Sequence, residues 1–203
     1  MTSIEHLILE VADPAAAETF YADVLGLDDR VRVRRSDAPT TGFRGFTLSL
    51  IVAQPANADA LIDAAVAAGA TVLKPAERSL FGYGGVVQAP DGTIVTVASS
   101  SKKDTAPAAK RIDDVVIQLG VADVAATKRH YVASGFTVGR SFGSKYVEFE
   151  APGRTVTMSL LKRKALAKAA GVAADGTGSH RLVLGGAAPA TDPDGFVWEA
   201  ASA

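Results

Sequence analysis

The sequence predicts an α+β fold assembled from two related halves. Three observations carry this expectation. An opening motif and a closing motif each occur twice, in the same order. A polar stretch with a proline lies between the two occurrences, in linker composition. Within each half, runs of strand pattern are interrupted by an occasional helix, which favours α+β over a doubly wound parallel sheet.

The repeat is direct. Ile8-Leu9-Glu10-Val11-Ala12-Asp13 recurs as Gln118-Leu119-Gly120-Val121-Ala122-Asp123. Phe20-Tyr21 is answered by His130-Tyr131 at the same offset, and Leu25-Gly26-Leu27 by Ser134-Gly135-Phe136 one residue closer. The closing motif Ala89-Pro90-Asp91-Gly92-Thr93-Ile94-Val95 returns as Asp192-Pro193-Asp194-Gly195-Phe196-Val197-Trp198. A weaker echo joins Thr41-Gly42 and Phe46-Thr47-Leu48 to Thr177-Gly178 and Leu182-Val183-Leu184. These matches divide the chain into a first half (1–100), a linker (101–110) and a second half (111–203). Each half is abbreviated in a different place. The second carries two strands and a helix (143–171) where the first passes quickly to Thr41-Gly42. The first carries a helix and two strands (57–88) where the second passes from Gly186 to Thr191.

The elements follow in order. Residues 4–11 are rich in β-favouring apolar side chains and read as a strand. Asp13 can cap a helix with Pro14 at its first position, Phe20 and Val24 on one face, and Gly26 ending it. Asp123, Val132 and Gly135 repeat that logic. Asn57 can cap a helix whose Leu61, Ile62, Ala65 and Val66 form an apolar stripe, closed by Gly69. Phe81-Gly82-Tyr83-Gly84-Gly85 reads as a turn between strands, since it lacks the lysine and Ser/Thr of a phosphate loop. Strands from Lys145 to Glu150 and from Arg154 to Leu161 meet at the turn pair Pro152-Gly153. A basic, alanine-rich helix from Leu161 to Ala170 ends at Gly171.

Composition narrows the function. Twenty-one basic residues nearly balance 22 acidic ones, which leaves no basic footprint for nucleic acid and no polybasic patch for a membrane surface. There is no cysteine, so disulfides, thiolate nucleophiles and cysteine-type zinc sites are excluded. The opening Met1-Thr2-Ser3-Ile4-Glu5-His6 lacks the pattern of a secretory signal, and the apolar runs are too short to cross a bilayer. A cytoplasmic protein is expected.

Three segments resemble a known superfamily. His6 to Asp13 with Phe20-Tyr21 and Leu25-Gly26-Leu27 resembles the opening of a vicinal-oxygen-chelate module, of the glyoxalase, bleomycin-resistance and extradiol-dioxygenase type. Asp192-Pro193-Asp194-Gly195-Phe196-Val197-Trp198-Glu199 resembles its closing strand, and Leu119 to Val172 resembles the same superfamily. The resemblance implies paired βαβββ modules forming curved mixed sheets around a cleft. In metal-using members, it implies ligands from four slots on first and last strands. Those slots here hold His6, Val116, Thr96 and Glu199, so only His6 and Glu199 are good ligands. Asp114, two residues before Val116 on the same strand face, is the candidate third ligand.

Each candidate has a plainer reading. Glu199 is the candidate acid or base, or else an exposed carboxylate on a terminal strand. Tyr146, Glu148, Tyr83 and Trp198 are the candidate ligand-binding residues. Tyr146, Glu148 and Glu150 share one strand face opposite Val147 and Phe149, and such a face is otherwise simply solvated. His130 and His180 read as surface or edge residues, and Lys162, Arg163, Lys164 and Lys168 as a solvated helix face. The first function expected is binding of a small organic ligand without a complete metal site. The second is a metal-dependent lyase, isomerase or dioxygenase, and the third a member with no retained chemistry. The cofactor is accordingly none or a divalent metal ion. A homodimer remains open, because twofold assemblies are the commonest.

Overall fold

The computed structural model describes residues 2–27, 29–153, 155–186 and 188–201. Met1 and Arg154, both read above, lie outside the described residues. The fold is α+β, as expected, but its sheets do not follow the halves.

The first half runs β1 (His6–Val11), α1 (Pro14–Glu18), β2 (Val31–Arg35), β3 (Thr40–Gly42), β4 (Phe46–Ile51), α2 (Pro55–Ala67), β5 (Thr71–Ser79), β6 (Gly82–Gln88) and β7 (Ile94–Ser99). The second runs β8 (Asp114–Val121), α3 (Val124–Ala133), β9 (Val138–Phe142), β10 (Tyr146–Phe149), β11 (Thr157–Lys162), α4 (Arg163–Ala170), β12 (Gly176–Gly178), β13 (Leu182–Gly186), β14 (Ala190–Thr191) and β15 (Val197–Ala200). Eight strands form one sheet in the order β5-β6-β7-β4-β8-β11-β10-β9, and five form another in the order β14-β15-β13-β1-β2. The eight-stranded sheet thus contains two full βαβββ modules, β4 to β7 and β8 to β11, joined by antiparallel pairing of β4 with β8. The five-stranded sheet joins the two abbreviated modules through antiparallel β1 and β13.

Local chemistry explains most element ends. The Asp13 carboxylate accepts from Ala16 N at 3.1 Å, and Asp123 accepts from Ala125 N and Ala126 N at 2.8 and 3.1 Å. Gly26 and Gly171 end their helical segments at φ of 71° and 80°, where a side chain would be strained. Between Thr19 and Val24 the first helix widens into a π-turn, with Leu25 N reaching Phe20 O. That turn breaks the expected pairing of faces, so Phe20 is buried and Val24 only half-buried.

Four other expectations change. The second helix begins at Pro55, not at Asn57. Asp104 caps it from a distance by accepting from Ala56 N at 2.7 Å. Gln54 and Asn57 instead accept from the backbone of Thr105, Ala106 and Ala109, so the linker is tied to the helix start. Val66 and Val132 are exposed, because Leu61, Ala65 and Tyr131 already fill the helix faces that meet the sheets. Glu150 falls outside β10, since the register slips between Glu148 and Phe149. Gly82 to Gly85 lie within β6 and not in a turn; the turn itself exposes Leu80 and Phe81.

One continuous core spans both sheets. Tyr131 sits at the join, with its ring 5.8 Å from Phe149 of β10 and 5.7 Å from Trp198 of β15. Its hydroxyl donates to the buried Asp192 at 2.7 Å, and Asp192 also accepts from Asp194 N and Phe196 N. Tyr21 makes the equivalent bond to Asp91 at 2.6 Å. Each of these bonds links a helix flanked by strands of one sheet to a turn that leads into the other. Burial beside a carboxylate holds both phenols well above the usual tyrosine range.

Two predictions follow from this core. Tyr131→Phe removes a hydrogen bond to a buried carboxylate and lowers unfolding free energy by about 1.5–3 kcal/mol, read as a lower urea midpoint with unchanged slope. All four tyrosines have raised pKa values in the folded chain. The folded state therefore retains protons that the unfolded state loses near pH ~10, and stability falls as pH rises above that point. Phenolate absorbance then appears together with unfolding; a native titration at the free tyrosine value overturns this.

Candidate functional site

The pairing of strands sorts the four slots into two places. His6 and Glu199 stand on one row of the five-stranded sheet, on either side of Gly185. Thr96 and Val116 stand on one row of the eight-stranded sheet, on either side of Ser49, and Thr157 extends that row.

On the five-stranded sheet the His6 imidazole is only 4% exposed. It lies over Gly185, where a Cβ would come within 2.5 Å of the ring. Burial, reinforced by the Arg32 charge, pulls its pKa below the usual imidazole value. Glu199 is engaged elsewhere. The Arg34 guanidinium donates through Nη1 to both Glu199 oxygens at 2.9 and 3.0 Å, and through Nη2 to Glu10 at 2.7 Å. A cation thus already sits between these carboxylates, and the Glu199 side chain is directed toward Glu10. Asp114 belongs to the other sheet, where it accepts from Thr157 Oγ1 at 3.0 Å and from its neighbour Val115 N. Burial raises its pKa, opposed by those two bonds. Among the described residues no group of three or more His, Cys, Asp or Glu is placed to hold a metal ion. The donors present therefore do not fit a divalent cation, which needs about three protein ligands besides its open positions.

The eight-stranded sheet has two different faces. Leu48, Leu50, Val95, Val97, Ile117 and Leu119 point into the main core against α2 and α3. Alternation puts Thr47, Ser49, Thr96, Val116, Gln118, Thr157 and Ser159 on the opposite face. Helix α4 packs on one end of that face, where Leu166, Ala167 and Ala170 meet Phe43, Val86 and Ile94. Gly120 makes this approach feasible, since a Cβ there would stand 3.1 Å from Arg163 Cα. Lys74 of β5 fastens the other end of α4, donating to the carbonyls of Lys168 and Ala169 at 3.0 and 2.7 Å. Between them opens a cleft of about 440 Å³. Ser49, Thr96 and Gln118 line its floor, Lys74 and Glu77 one wall, and Phe81 its mouth.

The candidate ligand residues fall in three places. Tyr146 and Glu148 lie on the cleft face of β10, further along the sheet, and the Tyr146 hydroxyl donates to Glu148 at 2.6 Å. Burial and that carboxylate raise the Tyr146 pKa. Tyr83 borders the cleft, but its ring turns to the helix side and donates to Asp59 of α2 at 2.7 Å, pushing its pKa up to about 12. Trp198 is packed in the core against Tyr131 and Phe136, with its indole N–H on the Tyr131 hydroxyl at 3.3 Å. Sequence reasoning passed over Ser49, Gln118 and Thr47. The alternation of polar residues in Thr47-Leu48-Ser49 and Gln118-Leu119 was a usable signal.

No protein-family profile matches the sequence, and no curated protein matches it. Solved structures do. Glyoxalase I from Zea mays aligns with a TM-score of 0.62 at 12% identity, over 98% of this chain and 91% of that one. A putative dioxygenase from Bacillus subtilis subsp. subtilis str. 168 aligns with a TM-score of 0.55 at 13% identity, over 95% of this chain and 71% of that one. At such identities the likeness is one of architecture. The chain has the vicinal-oxygen-chelate fold that its opening and closing motifs led one to expect.

The His6 environment generates a pH prediction. The unfolded imidazole protonates near pH ~6.5 while the folded one stays neutral, so stability falls as pH drops below that value. His6→Gln flattens this acid-side slope, and NMR of the wild-type ring shows a pKa below the free value; a ring that titrates at or above it contradicts the assignment.

Proposed function

We propose that the chain binds a small organic molecule in the cleft of the eight-stranded sheet, without a metal ion at that site. The observation that carries this is the row Thr96–Ser49–Val116–Thr157 across its four central strands, of which Thr96 and Ser49 line the cleft. These are hydroxyl and alkyl side chains. Divalent cations are held by carboxylates, imidazoles or clustered carbonyls, and no such group stands on this row. A cleft of this size, with a mixed polar and apolar lining, suits a ligand of modest dimensions. Tyr146 and Glu148 remain in the proposal as a second polar pair on the same face, whereas Tyr83 and Trp198 are committed to Asp59 and the core.

Ala98 lies on the cleft lining. Ala98→Trp fills the cleft and abolishes binding of fragments that perturb the Ser49, Thr96 and Gln118 amides in the wild type, while chelator leaves wild-type binding unchanged. Binding that survives Ala98→Trp, or that disappears with chelator, overturns the reading.

A second reading rests on His6 and Glu199 sharing one row. There the chain would be a metal-dependent lyase, isomerase or dioxygenase, with Glu199 as ligand or base. Elemental analysis of untagged protein after incubation with manganese, iron, nickel or zinc separates the two. The expected outcome is no stoichiometric metal; a near-stoichiometric ion lost in His6→Ala transfers the assignment to the second reading.

A further inference from the structure

We infer that the ligand of the cleft is uncharged where it meets the floor and presents an oxygen there, as in a ketone, lactone or lactam carried on an apolar body. This rests on the binding reading above and specifies its chemistry.

The floor is built of neutral groups whose hydrogen-bonding capacity is only half used. The Gln118 side-chain oxygen accepts from Thr47 Oγ1 at 2.9 Å, which leaves the carboxamide nitrogen as the part facing a ligand. Thr96 Oγ1 is buried and has no hydrogen-bond partner among the described residues, a state it shares with Ser159 Oγ further along the same face. Ser49 lies beside Thr96 in the register, and Gln118 is diagonal to Ser49 on the adjoining strand. A buried hydroxyl without a partner costs free energy in the empty protein, and a turn about the Thr96 χ1 bond would offer it to a ligand oxygen on this floor. Ser49 Oγ and the Gln118 amide N–H can donate to one ligand oxygen, and Thr96 Oγ1 joins them once its side chain turns toward the cleft.

Charge is absent from the floor itself. Lys74 is the cation of the wall, and its ammonium is directed to the carbonyls at the end of α4. Glu77 lines the wall. An ionised ligand group set on the floor would lose its hydration with no opposite charge to meet it. The rest of the lining includes Pro75, Gly84, Val86, Ala98 and Ala169, with Phe81 at the mouth, which accept an apolar body, beside the polar Ser79, Tyr83 and Ser99.

The test uses four probes of one shape. 4-Phenyl-2-butanone carries a neutral carbonyl, 3-phenylpropanoate a carboxylate, 3-phenylpropylamine an ammonium, and butylbenzene no polar group. Each is titrated into the full chain, with backbone amide shifts as the readout. The ketone shifts the amides of Ser49, Thr96 and Gln118 and binds at least about tenfold more tightly than the other three, the ratio set by an unpaired or charged group in place of a satisfied one. Thr96→Val keeps the shape of the side chain and removes the orphaned hydroxyl. It weakens ketone binding about fivefold while Tm stays level or rises, because the empty protein loses an unsatisfied group. Gln118→Leu weakens it similarly.

The carboxylate or the ammonium binding the same amides as tightly as the ketone overturns the inferred class but leaves the cleft as the site. Butylbenzene binding equally well also overturns the class, since apolar contact alone would then suffice. A Thr96→Val variant with lowered Tm and unchanged affinity overturns the role given to its hydroxyl. Failure of all four probes to move the cleft amides overturns the class and the binding reading together.

Discussion

Two buried tyrosine–carboxylate bonds hold the two sheets of this protein in one body. Tyr21 reaches Asp91 and Tyr131 reaches Asp192, and in each case the donor helix and the acceptor turn are attached to different sheets. The bonds are worth more than their number suggests, because the acceptors are charged and the surroundings exclude water. Tyr131 adds ring contacts to Phe149, Phe136 and Trp198, so the hydroxyl and the ring secure the same join. The cleft depends on this indirectly. Helices α2 and α3 brace the sheet from the core side, which leaves the opposite face free to carry polar residues.

That freedom has been used differently on the two sheets. On the five-stranded sheet, opposite charges face one another, with one Arg34 shared by the two carboxylates of Glu10 and Glu199. The pair is substantially exposed, so water and salt weaken it. On the eight-stranded sheet the equivalent row is neutral across its four central strands, reaches Lys74 only at the edge strand β5, and has α4 packed over one end of its face. A solvated ionic face and a sheltered neutral one have therefore grown from a single repeated motif.

Much of the framework was legible in the sequence because it depends on neighbours along the chain. Asp13 and Asp123 cap their helices, Gly26 and Gly171 end theirs, and Val147 and Phe149 face the core opposite Tyr146 and Glu148. The cleft was harder to read because it depends on partners far apart. Nothing local shows that β1 pairs with β13 while β4 pairs with β8, and this alone separates His6 and Glu199 from Thr96 and Val116. Asp114 was drawn toward His6 by its spacing from Val116, yet the two belong to different sheets. Tyr83 shows a second limit. Three glycines beside it hide the strand alternation, so its direction toward Asp59 had no signature in the sequence. The repeated tyrosines and the repeated Pro-Asp-Gly turns were visible, but the bonding carboxylate moves from the Asp of one turn to the residue before the proline in the other.

The pairing of His6 with Gly185 also fixes an order of assembly. During synthesis the strands from β4 to β11 emerge as a contiguous stretch and contain every member of the eight-stranded sheet. The first strand emerges before all of them, but its antiparallel neighbour is among the last to leave the ribosome. Closing so long a loop adds only a logarithmic entropy cost, so the finished sheet loses little stability by it. The penalty falls on time instead, since contacts between distant parts of a chain form slowly. Until then β1 and β2 remain an open two-stranded edge beside a nearly complete neighbour. The nascent chain is most vulnerable to mispairing there, at the strands that wait longest for their partner.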